Sequence, residues 1–278
     1  MLVKNNIKEI QTYMSEIKKQ GKTIGIVPTM GALHNGHISL IKKAKEKCDF
    51  IFVSIFVNPI QFGAGEDFDR YPRTLQADLD KCQEAGVDLV FTPTNDIMYT
   101  EGFSTYIEAK NISQVLEGEI RPIHFKGVCT VCMKLFNISL ADYGFFGQKD
   151  FQQVAVLKKM VKELNAPIKL VMCPIIRDTD GLAMSSRNSY LSPEERERAL
   201  YINKALFSAK DMCEKGETDI NILRKQLTET IMKGSPDAVD YIDIYDADTL
   251  EKAAKTENAV ILIACRYGNT RLIDNMLL

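Results

Sequence analysis

The sequence has little or none of several features that mark particular protein classes. It contains no tryptophan and three histidines, and no apolar run approaches the length of a membrane-spanning helix. Residues 1–10 carry no signal-peptide pattern. The formal net charge of −2 offers no excess of positive charge for general binding to nucleic acid or to anionic membranes. The sequence therefore predicts a globular protein that has neither of these partners.

The cysteines indicate reduced thiols rather than a disulfide framework. There are seven of them, an odd number, scattered without regular spacing, which favours a cytoplasmic location. Cys129 and Cys132 lie one helical turn apart in an apolar stretch, and no further pair of ligands at zinc-finger spacing accompanies them. We interpret both as small core residues. The sequence leaves the ligands of any metal unknown.

Two common phosphate-binding motifs are also absent, G-x-x-x-x-G-K-[ST] and G-x-G-x-x-G. In their place, residues 23–41 predict a buried strand over 23–27, ended by Pro28, then a glycine-containing turn and a helix from Gly36. The turn contains His34-Asn35-Gly36-His37, which resembles the H-x-G-H signature of nucleotidylyl-transferring enzymes. Free backbone N–H groups and the helix dipole at such a junction would favour phosphate oxygens. The alternative is a tight turn with solvated histidines.

Hydrophobic periodicity predicts a doubly wound, Rossmann-like parallel sheet followed by a smaller α+β part. Predicted strands cover residues 23–27, 50–57, 88–92, 105–109, 143–146, 168–173, 239–245 and 259–264. Predicted helices cover residues 7–17, 36–48, 74–84, 128–138, 151–164, 193–215 and 219–233. In the helix over 74–84, Leu75, Leu79 and Cys82 are expected to face inward. We place the domain boundary between residues 177 and 178, giving domains 1–177 and 178–278.

Polar residues follow several predicted strands, where ligands of open α/β sheets bind. Asn58 and Gln61 follow the second strand, although an Asn before a Pro is also ordinary turn chemistry. Lys149 and Asp150 stand at another strand-to-helix turn and suit the phosphates and ribose of a nucleotide.

Two further segments carry hydroxyl or basic groups. Ser185, Ser186 and Arg187 suit a phosphoryl transition state, because Ser192, before Pro193 and Glu195, is the better helix cap and leaves the earlier serines available. Arg121, His124 and Lys126 form a second basic helix start, for which a phosphate role and ordinary surface charge remain equally open.

Ordered motifs along the whole chain resemble the pantoate–β-alanine ligase (pantothenate synthetase) family. They are V-P-T-M-G-A-L-H-N-G-H, F-V-N-P-I-Q-F, Y-P-R-T-L-Q-A-D, K-L-F-N-I, F-G-Q-K-D-F-Q-Q, G-L-A-M-S-S-R-N-S-Y-L-S and T-R-L-I-D-N. The chain departs from the family pattern at Gln148, where Glu is frequent, at Ile123, where Gly is usual, and at Cys129 and Cys132.

The resemblance implies ATP-dependent condensation of (R)-pantoate with β-alanine through a pantoyl adenylate, with release of AMP and pyrophosphate. It implies magnesium on the triphosphate, a homodimer and a C-terminal lid domain. It assigns His34, His37 and Lys149 to catalysis and Asn58, Gln61 and Gln153 to pantoate or β-alanine. The ATP-binding residues it implies are Met30, Gly31, Ala32, Leu33, His34, Asn35, Gly36, His37, Gly147, Gln148, Lys149, Asp150, Ile176, Met184, Ser185, Ser186 and Arg187.

Three other functions share part of this pattern. A nucleotidylyltransferase for a phosphorylated substrate would share H-x-G-H, but Gln61 and Gln153 are neutral where a phosphate acceptor would favour Arg or Lys. A tRNA ligase would need a longer and more basic chain. A nucleotide sensor without catalysis would not need Lys149 and Arg187 at the transferring phosphate.

Overall fold

The computed structural model describes all 278 residues, and they form two compact units. The first comprises Met1–Gly147 and Gln152–Cys173, and the second comprises Gln148–Phe151 and Pro174–Leu278. The division at residue 177 proposed from the sequence stays a prediction of domain organisation; the compact units part between Cys173 and Pro174.

The first unit is built on a six-stranded parallel sheet with the order β1-β4-β3-β2-β5-β6. Its strands are β1 (Leu2–Lys4), β2 (Ile24–Thr29), β3 (Phe50–Ile55), β4 (Leu89–Phe91), β5 (Tyr143–Gly147) and β6 (Lys169–Cys173). Its helices are α1 (Ile7–Lys19), α2 (Asn35–Lys45), α3 (Leu75–Glu84), α4 (Asn95–Met98), α5 (Glu117–Ile120), α6 (His124–Ser139) and α7 (Phe151–Glu163). The predicted doubly wound parallel sheet is confirmed.

The order of the strands places a ligand-binding position at the carboxyl ends of β2 and β5. The chain adds β3 and β4 on one side of β2, then crosses to the other side for β5 and β6. Ligands of open α/β sheets bind at such a reversal. Helix α2 packs against β2, β3 and β5, and its buried Leu40, Ile41 and Ala44 join a core cluster with Val27 and Val53.

Two predictions about the strands are wrong. Strand β2 continues through Pro28, which is in register with Ser54. Strand β5 pairs only with Gly25 and Ile26, so at Pro28 no neighbour on that side needs the missing N–H group. Residues 105–109 form no strand, and the N–H of Ile107 instead donates to the hydroxyl of Thr130 at 3.0 Å.

The second unit combines two helices, α8 (Pro193–Glu214) and α9 (Ile220–Lys233), with a three-stranded antiparallel sheet. Its strands are β7 (Ala238–Asp246), β8 (Ala259–Tyr267) and β9 (Thr270–Leu277), in that order across the sheet. The predicted cap of α8 is confirmed, because Ser192 and Glu195 form a capping box. The sequence prediction missed β9, as it missed the short β1.

The helices and thiols bear on two early expectations. None of the helices combines the length and the apolar character needed to cross a membrane.

All seven cysteines are free thiols, and Cys129 and Cys132 are buried in α6, as predicted. Burial raises the pKa of Cys129 to about 12, which keeps this thiol protonated and unreactive near neutral pH.

Candidate functional site

The loop between β2 and α2 is held in an unusual backbone conformation by a buried carboxylate. Gly31 and Ala32 both have positive φ, at 85° and 51°. The two carboxylate oxygens of Asp78 accept the N–H groups of Ala32 at 2.9 Å and Leu33 at 2.7 Å. A positive φ is uncommon for a residue with a side chain, so Asp78 stabilises a conformation that Ala32 alone would rarely adopt.

Asp78 is a residue of the candidate site that the sequence prediction missed. Helix α3 was expected to bury Leu75, but Leu75 is 48% exposed, whereas Asp78 is 0% exposed. Periodicity assigns charged residues to the solvent side, and the N–H groups that Asp78 accepts lie 46 and 45 residues earlier in the chain. Its place at the end of the motif Y-P-R-T-L-Q-A-D was the one available signal.

His34 and His37 cap the first turn of α2 with their Nδ1 atoms. The Nδ1 atom of His34 accepts the N–H of Gly36 at 3.1 Å, and Nδ1 of His37 accepts the N–H of His34 at 3.3 Å. The two rings lie 4.2 Å apart between centroids. Because a backbone N–H can only donate, each neutral ring must carry its proton on Nε2. Both rings therefore have an Nε2–H group as their donor.

This arrangement corrects one expectation from the sequence. The backbone N–H groups of Ala32, Leu33, His34 and Gly36 donate to side chains of the protein and are not free for phosphate. The side-chain groups at this position that could donate to an anion are the Nε2–H groups of the two imidazoles. The dipole of α2 still favours negative charge at this end, because the capped amides remain aligned with the helix axis.

Asn58 and Gln61 lie together in the turn that follows β3. Gln61 ends a 3-10 turn, Pro59–Gln61, and both side chains are buried. The amide of Asn58 donates to Oε1 of Gln61 at 2.9 Å and to the carbonyl of Gly127 at 3.2 Å, and its oxygen accepts the hydroxyl of Tyr99. Asn58 thus has both donor hydrogens engaged within the protein, an arrangement that favours orienting Gln61 over contacting substrate.

Gln61 keeps part of its hydrogen-bonding capacity. Its Nε2 atom contacts the sulfur of Met30 at 3.1 Å, which brings together two residues predicted to serve different substrates. One donor hydrogen and one acceptor lone pair remain on the carboxamide. Gly127 makes the close approach of α6 possible, because a Cβ atom there would lie 2.5 Å from Cα of Gln61.

His124 holds the same turn from the other side. Its Nδ1 atom lies 3.0 Å from the carbonyl oxygen of Gln61, so Nδ1 carries the proton and donates it. Burial, together with the positive charge of Arg121, lowers the pKa of His124 to about 4. The ring is therefore neutral near pH 7 and serves as an anchor.

The remaining basic groups at the start of α6 are engaged by the protein. Arg121 forms a bidentate ion pair with Glu66, and the ammonium of Lys126 lies 4.5 Å from the centre of the Tyr106 ring. Although burial opposes ionisation, the guanidinium holds the pKa of Glu66 below its ordinary value. Ile123 has φ −94° and is 46% exposed, so the usual glycine is not needed for this backbone. The contacts of Arg121 and Lys126 favour an anchoring role over a phosphate site.

The adjacent glutamines of α7 differ in their partners. Gln152 is buried, accepts the N–H of Glu117 and donates to the carbonyls of Ile112 and Val115. These contacts bracket Leu116, which has a positive φ of 53°. Gln153 is half-buried, and its side chain makes no hydrogen bond within the protein. Its carboxamide is therefore available to a ligand, as a substrate-binding role requires.

In the second unit, the predicted nucleotide-binding residues lie in two segments. Gln148, Lys149 and Asp150 form a 3-10 turn directly after Gly147, the last residue of β5. Ile176 and Met184 are paired through a 2.9 Å bond from the N–H of Met184 to the carbonyl of Ile176. This contact closes a small hairpin that also contains the bridge between Arg177 and Ala183.

The predicted serines follow that hairpin. Ser185 accepts the N–H of Arg187 and caps a second 3-10 turn, Ser186–Tyr190, so it has a capping role that the sequence reasoning gave only to Ser192. Its hydroxyl hydrogen remains available as a donor. Arg196 of α8 braces this region by ion pairs with Asp178 and Asp180 at 2.8 Å each.

The structure groups the predicted residues by unit. The first unit brings together Met30, the histidine turn, Asn58 and Gln61, and it also contains Gly147 and Gln153. The second unit contains Gln148, Lys149, Asp150, Ile176 and the segment from Met184 to Arg187. No cluster of three or more His, Cys, Asp or Glu side chains suited to a metal ion is present.

Comparison with known proteins gives consistent matches along the whole chain. The family model described as pantoate-beta-alanine ligase matches residues 2–277. The chain is 51% identical to the pantothenate synthetase of Sulfurihydrogenibium sp., over 99% of each chain. It is 48% identical to the pantothenate synthetase of Acetivibrio thermocellus, over 100% of this chain and 99% of that protein.

Solved structures also match the chain along its whole length. The chain superposes on pantothenate synthetase from Thermus thermophilus with a TM-score of 0.93 and 38% identity, covering 100% of this chain and 99% of that one. It also matches pantoate-beta-alanine ligase from Francisella tularensis, with a TM-score of 0.81 and 38% identity, covering 100% and 97%. The Francisella protein was solved with a β,γ-ATP compound and β-alanine.

Proposed function

The chain belongs to the pantoate–β-alanine ligase family and catalyses the ATP-dependent condensation of pantoate with β-alanine, and we propose that the residues described above perform it in two steps. In the first step, a carboxylate oxygen of pantoate attacks the α-phosphorus of ATP. The bond from that phosphorus to the bridging oxygen breaks, and pyrophosphate leaves. In the second step, the amine of β-alanine attacks the carbonyl carbon of pantoyl adenylate, loses a proton and displaces AMP.

The observation that carries this proposal is the pair of histidines at the start of α2. Their Nδ1 atoms accept backbone N–H groups, so each neutral ring offers an Nε2–H donor at the carboxyl end of the central strand β2. Negative charge builds on the phosphate oxygens during the first step, and fixed donors that stabilise such charge commonly change rates by ~10²–10³. We assign His34 and His37 to the phosphates.

Gln61 and Gln153 would bind pantoate. Both carboxamides keep donors or acceptors that no protein group uses, and neutral amides suit a substrate with hydroxyl groups. Asn58 would act indirectly, by holding Oε1 of Gln61. Met30, Gly31, Ala32, Leu33, Asn35 and Gly36 would form the surrounding ATP-binding loop, whose backbone Asp78 holds in place.

The second unit would supply the cations. Lys149 would follow the charge that moves onto the departing pyrophosphate, and Arg187 with Ser185 and Ser186 would contact the phosphates. Asp150 would accept hydroxyl groups of the ribose, and the backbone at Ile176 would meet the adenine. Gly147, Gln148 and Met184 would line the same nucleotide. The C-terminal unit would serve as the lid that the sequence predicted.

Magnesium fits the chemistry of this donor set. Magnesium bound to a nucleotide is held mainly by phosphate oxygens and water, with one or two carboxylates at most. The protein has no dedicated cluster of metal-binding side chains, which fits an ion that arrives on the triphosphate. When bound, it would neutralise part of the phosphate charge.

We also propose a cytoplasmic homodimer without a nucleic-acid partner. Seven free thiols support a reducing compartment. The net charge of −2 supports small-molecule rather than nucleic-acid binding. The homodimer is proposed from family resemblance.

The test is exchange of labelled pyrophosphate into ATP, measured with and without pantoate. Exchange that depends on pantoate is the expected result, and Lys149→Ala should reduce it by ~10²–10³. Gln153→Ala should raise the pantoate concentration required while ATP binding stays near normal, since a lost neutral hydrogen bond costs about 0.5–1.5 kcal/mol. Exchange without pantoate, or equal losses of ATP and pantoate affinity in Gln153→Ala, would contradict these assignments.

A further inference from the structure

Asn275 of β9 makes three hydrogen bonds to the turn that contains Lys149. Its Nδ2 atom donates to the carbonyl oxygens of Gln148 at 2.9 Å and of Lys149 at 3.0 Å. Its Oδ1 atom accepts from Nε2 of Gln148 at 3.1 Å. Asn275 is 1% exposed and lies 126 positions from Lys149 in the sequence. The carboxamide therefore fixes the turn from within the protein.

The orientation of this carboxamide follows from its partners. Two backbone carbonyls can only accept, so the NH₂ group of Asn275 must face them. The oxygen then faces Gln148, whose NH₂ group donates to it. A glutamate at position 148, the residue that is frequent in the family, could not make this bond when ionised. Gln148 thus donates to Asn275 a hydrogen bond that an ionised glutamate could not make.

The preceding residue of β9 holds the second predicted nucleotide-binding segment. Asp274 is buried and forms a bidentate ion pair with Arg177, at 2.6 and 3.1 Å, where the hairpin that ends at Met184 begins. Successive residues of a strand project to opposite faces. Two neighbours on one strand can therefore hold two separate segments.

We propose that Asn275 is a positioning residue for Lys149 in the adenylation step. The inference rests on the role given to Lys149 above. Asn275 donates to the carbonyl of Lys149 itself, so its loss would release the backbone that carries the ammonium group. Stabilisation of the charge on the departing pyrophosphate depends on the position of the ammonium group, and a displacement of about 1 Å can lower the rate by ~10²-fold.

The experiment compares Asn275→Ala with Lys149→Ala and with the double variant. Asn275→Ala should slow ATP–pyrophosphate exchange by ~10- to 100-fold. It should change far less the formation of pantothenate from chemically prepared pantoyl adenylate and β-alanine, because no pyrophosphate is then present. The double variant should be no slower in exchange than Lys149→Ala alone, because a correctly placed backbone has no effect once the ammonium group is absent.

The control is Asp240→Asn, which weakens the ion pair between Asp240 of β7 and Arg271 of β9 in the same sheet. It should lower the melting temperature without a selective loss of exchange. If Asn275→Ala does not fold, Asn275→Ser, which keeps one donor, replaces it and should lie between wild type and Lys149→Ala in exchange.

Three results would overturn the inference. Losses that multiply in the double variant would show that Asn275 acts independently of Lys149. Equal losses in both half-reactions would show a general structural role. Unchanged exchange in Lys149→Ala would remove the proposed role of Lys149 and this inference with it, and that result is recognised from the single variant alone.

Discussion

Two helices of the first unit have histidine at their start, and the backbone around them fixes the ring proton on opposite nitrogens. At the start of α2, Nδ1 of His34 and of His37 accepts a backbone N–H, so the proton lies on Nε2. At the start of α6, Nδ1 of His124 faces the carbonyl of Gln61, so the proton lies on Nδ1. The first pair is half-buried, whereas His124 is buried. The backbone partner thus decides which nitrogen carries the proton.

The charged side chains near the start of α6 also distinguish it from the start of α2. At the start of α6, the carboxylate of Glu66 neutralises the guanidinium of Arg121. A basic residue type at a helix start therefore does not by itself predict an anion site. What distinguishes the two starts is which ring nitrogen carries the proton and, at α6, the ion pair that already neutralises Arg121.

The largest expected effect comes from replacing each histidine of α2 by the residue that capping rules favour at its position. His34→Asn keeps an acceptor at the N-cap, and His37→Gln keeps the reciprocal acceptor three residues later. Both remove the imidazole donor. We expect ATP–pyrophosphate exchange to fall by ~10²–10³ in each variant, while the melting temperature stays close to that of wild type.

An alanine at each position is the matched control. It removes both the cap and the donor, so it should lose about 1 kcal/mol of stability in addition to activity. Retained exchange in His34→Asn and His37→Gln would mean that these histidines serve only to cap the helix, and the contrast with α6 would disappear.

The next effect concerns the pH dependence of stability through His124. Its pKa is about 4 in the folded protein, through burial and the charge of Arg121, and about 6.5 when unfolded. Between these values the unfolded chain binds a proton that the folded chain does not. The free energy of unfolding should therefore fall as pH falls from 6.5 to 4, by up to about 3 kcal/mol.

His124→Asn keeps a donor for the Gln61 carbonyl but does not titrate, so its stability should fall less over this window. Glu66 and Glu117 lie near the ring and are present in both proteins, so the difference between wild type and variant reports mainly on the histidine. Parallel denaturation curves for the two proteins from pH 6.5 to 4 would show that His124 is not buried in the neutral form.

A smaller effect is expected from Glu66→Gln, which removes the partner of Arg121. The side chains are 16% and 23% exposed for Arg121 and Glu66, between the surface and the core. We expect a loss of about 1–2 kcal/mol in urea denaturation, above the value for exposed pairs and below that for buried ones. Replacing Arg121 by Met in the Glu66→Gln variant should recover part of the lost stability. If the effects of the two single substitutions on the free energy of unfolding simply added, the ion pair would not contribute to stability.

The smallest effect is expected within α6 itself. Replacing Cys129 and Cys132 together by Ala should leave the rate unchanged in reducing buffer and lower stability only modestly, because both are buried core residues without metal-binding neighbours. Metal analysis of the wild-type protein checks the same point. Tightly bound zinc in stoichiometric amount would give α6 a function that its packing does not suggest.

Much of the fold could be read from the sequence, because its signals are local. A continuous apolar run predicted β3, and Ser192 with Glu195 predicted the start of α8. The prediction of a strand over residues 105–109 was wrong because a strand needs a neighbouring strand to pair with, and hydrophobic periodicity does not show whether one is present. Strand β9 was missed although its motif T-R-L-I-D-N was noticed, because its buried Asp274 and Asn275 interrupt the apolar pattern.

The sequence by itself determined the family, the parallel sheet and the residues available for chemistry, because ordered motifs and hydrophobic periodicity are properties of neighbouring positions. The tertiary structure decided what those residues can do. It set the donor atom of each histidine and engaged both donors of Asn58 while leaving the side chain of Gln153 without a hydrogen bond. It also placed Asp78 and Asn275 against the backbone of the two turns that contain Leu33 and Lys149. Each of these depends on a hydrogen bond whose partner is a backbone group fixed by the fold, and a one-dimensional pattern contains no record of such partners.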